Sequence, residues 1–167
     1  MSALTATVPT VETLVEPSVD GPVDPHARRQ RLHALATGLE FAELTHPFDA
    51  TTAVYKVAGR MFALVGSTPP YRLNVKVDPE DGAALRRQFP TLQPGWHMDH
   101  RHWLTALLDD ADVPDQLLDE LVVDSYRTVH ANLPRRTRAL LAAGLWRPAP
   151  TTVRRTRPPR GRLTPPG

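Results

Sequence analysis

"TTAVYKVAGRMFALVGSTPPYRLNVKVDPEDGAALRRQF", residues 51–89, decides the fold. Its first part holds two β-rich runs joined at Ala58-Gly59, a hairpin signal because glycine accepts the positive φ that a tight chain reversal needs. The second run, "MFALV", is apolar on both faces, which predicts a central strand. Next, "RLNVKV" alternates, with Leu73, Val75 and Val77 on one face and Arg72, Asn74 and Lys76 on the other. One face of the sheet is therefore predicted to meet water. Asp78 then stands as the cap of a helix with Pro79 in its first position and Glu80 and Asp81 in the first turn, where the helix dipole favours acids. That helix is predicted to end near Phe89-Pro90.

Working outward, "PHARRQRLHALATGL" places Leu32, Leu35, Ala36 and Leu39 at helical spacing, with Pro25 near the start and Gly38 near the end. On the C-terminal side, "HMDHRHWLTALL" reads as a strand entered after the turn at Pro94-Gly95. "DVPDQLLDELVVDSYRTVHANL" puts Leu118, Leu121, Val122, Ser125, Val129 and Leu133 on one helical stripe that starts near Asp112 and Pro114. This long helix is read as running on through "RRTRALLAAGLW", with "RRTR" at a helix end where bases complement the dipole. The predicted order is α-β-β-β-α-β-(β)-α. Hairpin-linked strands with helices at the ends imply an α+β two-layer sandwich, an antiparallel sheet packed against terminal helices.

The chain has 167 residues, which fits one domain. Residues 1–25 hold four acids and no base, and residues 147–167 hold six arginines and no acid. Ten of the 18 prolines fall in these ends, so both read as disordered tails around a domain spanning 26–145. There is no cysteine, which excludes disulfides, thiolate metal sites and cysteine nucleophiles. Neither a secretory leader nor a run of about 20 apolar residues is visible, so a cytoplasmic location is expected.

Three of the seven histidines crowd into "PGWHMDHRHW", residues 94–103. Read as a strand, this segment sends His100 and His102 to one face with Met98, and His97 to the other beside Asp99 and Arg101. Zinc takes four ligands, or three with one open position, and only two histidines converge here. No metal site and no cofactor are expected. A second reading has His97 or His102 hydrogen-bonded to backbone at the strand entry while Met98 and Trp103 pack. No Gly-x-Ser-x-Gly elbow and no glycine-rich phosphate loop accompany the serines and histidines, so no enzyme is expected.

Taken together, "HPFDATTAVYKVAGRMFALV", "PPYRLNVKVDPE", "QPGWHMDHRHWLTALL", "VPDQLLDEL" and "SYRTVHANLPRR" resemble the MmcQ/YjbR family in order and spacing across about residues 26–138. The resemblance implies a frataxin-like (CyaY-like) α+β fold and a double-wing DNA-binding surface built from β-hairpins. The chain departs from the family pattern at Asp49, usually glycine, at Trp96, usually tyrosine, and at Asp99-His100, usually Asn-Lys-like. Iron binding in frataxins uses an acidic ridge on the first helix; Arg28, Arg29 and Arg31 stand on that helix here, which argues against iron.

On this basis double-stranded DNA is the expected partner. Phosphate contacts are assigned to Lys56, Arg60, Arg72, Lys76 and Arg101, stacking or packing to Trp96 and Trp103, and hydrogen bonding to Asn74, His97 and His102. Arg154, Arg155, Arg157, Arg160 and Arg162 of the basic tail would add attraction to any polyanion. The alternative is a protein-interaction or small-ligand module using the same aromatic and histidine surface. An exposed aromatic cleft rimmed by few bases would favour that alternative.

Overall fold

The structure, a computed structural model, describes residues 22–49 and 51–147. Elements run in the order α1 (Pro25–Gly38), β1 (Ala42–Thr45), β2 (Ala53–Val57), β3 (Arg60–Val65), β4 (Arg72–Lys76), α2 (Pro79–Gln88), β5 (Gln93–Pro94), β6 (Trp103–Leu107), α3 (Asp115–Ala131) and α4 (Arg135–Ala142). All strand pairs are antiparallel, in one six-stranded sheet of order β1-β2-β3-β4-β6-β5. The α+β reading holds, and β3 is central, as its two apolar faces require.

The hairpin between β2 and β3 pairs Val57 with Arg60, leaving Ala58 and Gly59 as a two-residue loop with φ of +48° and +73°. Positive φ at both central residues is the primed turn that matches the right-handed twist of the strands. A Cβ at Gly59 would meet nothing within 4 Å, so Gly59→Ala is expected to cost only the left-handed backbone penalty, about 1 kcal/mol, read from urea unfolding. A loss above about 3 kcal/mol would mean that the turn has a packing role not visible in its surroundings.

One side of the sheet carries Tyr55, Ala63, Val65, Leu73, Val75, Leu104 and Ala106, and α1 and α3 pack against it. The stripe predicted for α3 is the one that is buried: Leu118, Leu121, Val122, Ser125 and Val129, followed by Leu133. Ser125 is polar within that stripe for a structural reason. The register between β2 and β3 shifts at Tyr55/Lys56, and the β3–β4 ladder ends at Ala63↔Val75. Beyond that point the Ser125 hydroxyl donates to the Phe62 carbonyl at 2.6 Å and accepts from the Lys76 N–H at 2.8 Å. It thereby satisfies two backbone groups that the ladder leaves open. Tyr55 is 1% exposed and its hydroxyl lies 2.8 Å from His33 Nδ1; burial pushes the phenol up to about 12.

Helix α1 is tied to the start of α3 by arginine. Arg28, 7% exposed, donates to the carbonyls of Leu108, Asp110 and Val113 and to the Asp115 carboxylate. Arg31 reaches Asp115 and Asp119. The arginines of the first helix are thus partly internal fastenings rather than a free basic ridge.

Several expectations are corrected. A four-residue strand, β1, and a two-residue strand, β5, extend the sheet beyond the predicted set. The last helix does not run through Pro134. Proline lacks the N–H to continue α3, which stops at Ala131, and Pro134 instead caps a separate helix, α4. "RRTR" therefore begins a helix, where its charges oppose the dipole, rather than ending one. Residues 97–102 are turns, not strand. Structure also reaches slightly past both tail boundaries: Asp24 caps α1, Pro25 opens it, and Trp146 packs against the core. The tail arginines Arg154, Arg155, Arg157, Arg160 and Arg162 lie outside the described residues. Among those described, no helix is long and apolar enough to cross a membrane.

Candidate functional site

Register fixes which side chains share the sheet face turned away from α1 and α3. Lys56 lies opposite Met61, Asn74 lies between Leu64 and Thr105, Arg72 opposes Leu107, and Lys76 opposes Trp103. Lys56, Arg72, Asn74, Lys76 and Trp103 therefore occupy one face. Arg60 does not join them: it pairs with Val57, whose side chain belongs to the helix-covered side.

Asn74 is not the exposed residue that alternation suggests. It is 3% exposed because the segment after β5 folds over it. Gly95 makes that approach possible: its N–H donates to the Trp103 carbonyl at 2.9 Å, and a Cβ there would sit 2.5 Å from Trp103 Cβ. The next residue, Trp96, donates its backbone N–H to Thr105 Oγ1 at 2.8 Å, and the Thr105 hydroxyl donates to Asn74 Oδ1 at 2.6 Å. This relay leaves the Asn74 amide nitrogen as the group offered outward.

The Arg72 guanidinium lies over the Trp96 ring, 4.4 Å from its centroid, a cation–π arrangement. His97 meets the same indole edge-on at 4.7 Å and has a backbone φ of +55°, a conformation uncommon for any residue but glycine. Arg72, Asn74, Trp96 and His97 line an open cleft of about 420 Å³ together with Phe48, Asp49, Thr52, Leu64 and Met98. Phe48 is 69% and Trp96 49% exposed, so the cleft presents two aromatic surfaces to solvent. Asp49 brings a negative charge to the rim, but its oxygens are occupied. Thr52 and Thr51 donate hydroxyl and backbone hydrogen bonds to it, which hold the carboxyl far below its ordinary range. Asp49 has no positive φ, so an aspartate in place of the family's usual glycine is unstrained and caps the turn.

The remaining assigned residues fall elsewhere. Lys76, His102 and Trp103 line a second cleft of about 400 Å³ with Val77, Asp78, Asp99, Thr128 and Asn132. Lys56, Arg60 and Arg101 line neither. Arg101 is exposed in a turn closed by Asp99, whose carboxylate accepts the Arg101 N–H at 2.8 Å and is lowered chiefly by that bond. Because 97–102 is a set of turns, the division of its histidines between two strand faces does not apply. His97 joins the first cleft, His102 the second, and His100 is exposed. No group of three or more histidine, aspartate or glutamate side chains that could hold a metal ion occurs among the described residues.

Sequence reasoning passes over Phe48 and Thr105 and marks Asp49 only as a departure from the family pattern. Thr105 is detectable as the one polar residue of "LTALL", and Asp49 by the Asx-turn pattern of an aspartate just before two threonines. Phe48 carries no comparable signal, since an aromatic in a loop reads as packing.

Known proteins are similar to this chain. The uncharacterized protein YbdF of Escherichia coli O157:H7 is 30% identical over 122 residues, covering 70% of this chain and 98% of that protein. YjbR of Escherichia coli K12 is 33% identical over 87 residues, 52% of this chain and 73% of that protein. The crystal structure of Deinococcus radiodurans protein DR2400, with a DUF419 domain, aligns at a TM-score of 0.65 and 36% identity over 72% of this chain and 91% of that one. A Pseudomonas syringae protein aligns at a TM-score of 0.51 and 24% identity over 60% of this chain and 97% of its own, a likeness of fold alone. The profile of the YjbR family matches residues 37–128, a stretch from the end of α1 into α3 that includes the whole sheet and the larger cleft, and the chain belongs to the MmcQ/YjbR family.

Proposed function

We propose that this protein binds rather than catalyses, and that its ligand is DNA, met by the sheet face that α1 and α3 leave free. The observation that carries the reading is the placement of Lys56, Arg72 and Lys76 on that one face. Arg72 and Lys76 stand four residues apart on β4, about 13 Å along an extended strand, a separation suited to different phosphates rather than one. The arginines of residues 147–167 supplement this face with sequence-independent attraction. Charge balance limits the expected affinity: described bases and acids number 15 each, so binding depends on local clustering rather than net charge.

Titration of a labelled duplex at several salt concentrations tests the reading. Affinity is expected to fall steeply with salt, and Lys56→Ala or Lys76→Ala to reduce the log–log slope by about 0.9 each. No binding at low salt would end the proposal. A second reading, a small-ligand module, is favoured by one observation: the larger cleft has two exposed aromatic rings and a single cation, Arg72.

A further inference from the structure

The two readings meet in one site. We infer that the cleft lined by Phe48, Arg72, Asn74 and Trp96 takes a single unstacked nucleotide, its base against the aromatic surfaces and its phosphate at Arg72. The inference rests on the nucleic-acid reading and narrows it: a base enters this cleft only when it is outside a duplex.

Four features support this occupant. The volume, about 420 Å³, lies within the range of about 300–1,000 Å³ typical of pockets for small planar molecules and is too small for a double helix. Its polar lining offers donors: the Asn74 amide nitrogen, left outward by the Thr105 relay, and the Arg72 guanidinium. Phe48 and Trp96 are exposed beyond what packing needs, and every base has a face that stacks on such rings. Arg72 Nε is itself buried, so this guanidinium meets an incoming phosphate through its terminal nitrogens. The one acid on the rim, Asp49, has its oxygens engaged by Thr51 and Thr52. The ligand this lining fits is a planar, acceptor-rich heterocycle with one anionic group, free or within a single strand.

The test is calorimetric titration of the full chain with a single-stranded homopolymer, the matching duplex, a set of mononucleotides and ribose 5-phosphate, repeated with Trp96→Leu and Phe48→Ser. The single strand is expected to bind about tenfold tighter than the duplex, each substitution to weaken it about tenfold, and Phe48→Ser to leave duplex binding within about twofold. Because Phe48 is 69% exposed, its replacement keeps the test valid if Trp96→Leu fails to fold. Mononucleotide binding without oligomer binding would support the cleft occupant and identify the free nucleotide as its source, while overturning the DNA reading. Equal single-strand and duplex affinities, indifferent to both substitutions, would overturn the inference and leave the DNA reading standing. Ribose 5-phosphate binding as tightly as a mononucleotide would also overturn it, since the base would then contribute nothing.

Discussion

Replacing Arg28 with methionine is expected to lower the stability of the fold by about 3 kcal/mol, measured as a shift of the urea midpoint at unchanged slope. Methionine fills similar space but donates nothing. The carbonyls of Leu108, Asp110 and Val113 each lose their arginine donor, and Asp115 keeps only Arg31. Three of the five guanidinium N–H directions point at backbone that turns between β6 and α3, a segment with no ladder of its own. A loss below about 1 kcal/mol would show that these carbonyls rehydrate freely and that α1 is fastened by apolar contact alone.

The same fastening sets a pH dependence. Burial would raise the Asp115 carboxyl, but hydrogen bonds from Arg31 and Arg28 outweigh it and hold the group below its ordinary 3.8. A depressed folded-state value means that the stabilisation is fully present above the unfolded value and is lost as pH falls through the folded one. Stability is thus expected to decline below about pH 4, and Arg28→Met and Asp115→Asn should each flatten that decline. An acid limb of equal steepness in both variants would place the titration elsewhere.

Gly95→Ala is expected to be the most damaging added methyl among the described glycines, at about 2 kcal/mol, and to abolish whatever the larger cleft binds. The added carbon would lie 2.5 Å from Trp103 Cβ and 3.2 Å from Met98 Cβ. Both are atoms next to the backbone, so no rotamer change relieves the clash. The chain must lift, breaking the Gly95-to-Trp103 hydrogen bond and withdrawing Trp96 from Thr105. Paired melting and titration experiments separate the two effects. Unchanged melting with unchanged binding would show that this loop is pliant and the cleft unfixed by Gly95.

These residues also mark where sequence ceased to be legible. The Asp78 cap, the phase of β4 and the α3 stripe follow from local rules, because cap geometry, period-2 burial and period-3.6 burial act within a few residues. The segment 97–102 does not, because alternation has meaning only where a ladder partner exists. There the Asp99 side chain offers the backbone a competing turn. Asn74 looked outward by parity and does point that way; what buried it was a loop crossing from β5, a long-range event. β1 was missed because "AELT" is too short to show a period. Of the candidate site, Arg72, Asn74, Trp96 and His97 are named from sequence and are brought together, Asp49 and Thr105 leave only a local polar signal, and Phe48 becomes visible only through the loop that carries it.

The sheet is open, not a barrel, yet its two borders give little foothold. One is β5, two residues long and containing a proline that has no N–H to donate; the other is β1, four residues with a charged Glu43 held by the Trp146 indole N–H. Short, proline-bearing or charged borders discourage edge-to-edge growth between molecules. Among the described residues, the outermost strands of the sheet thus offer an incoming strand only a short ladder.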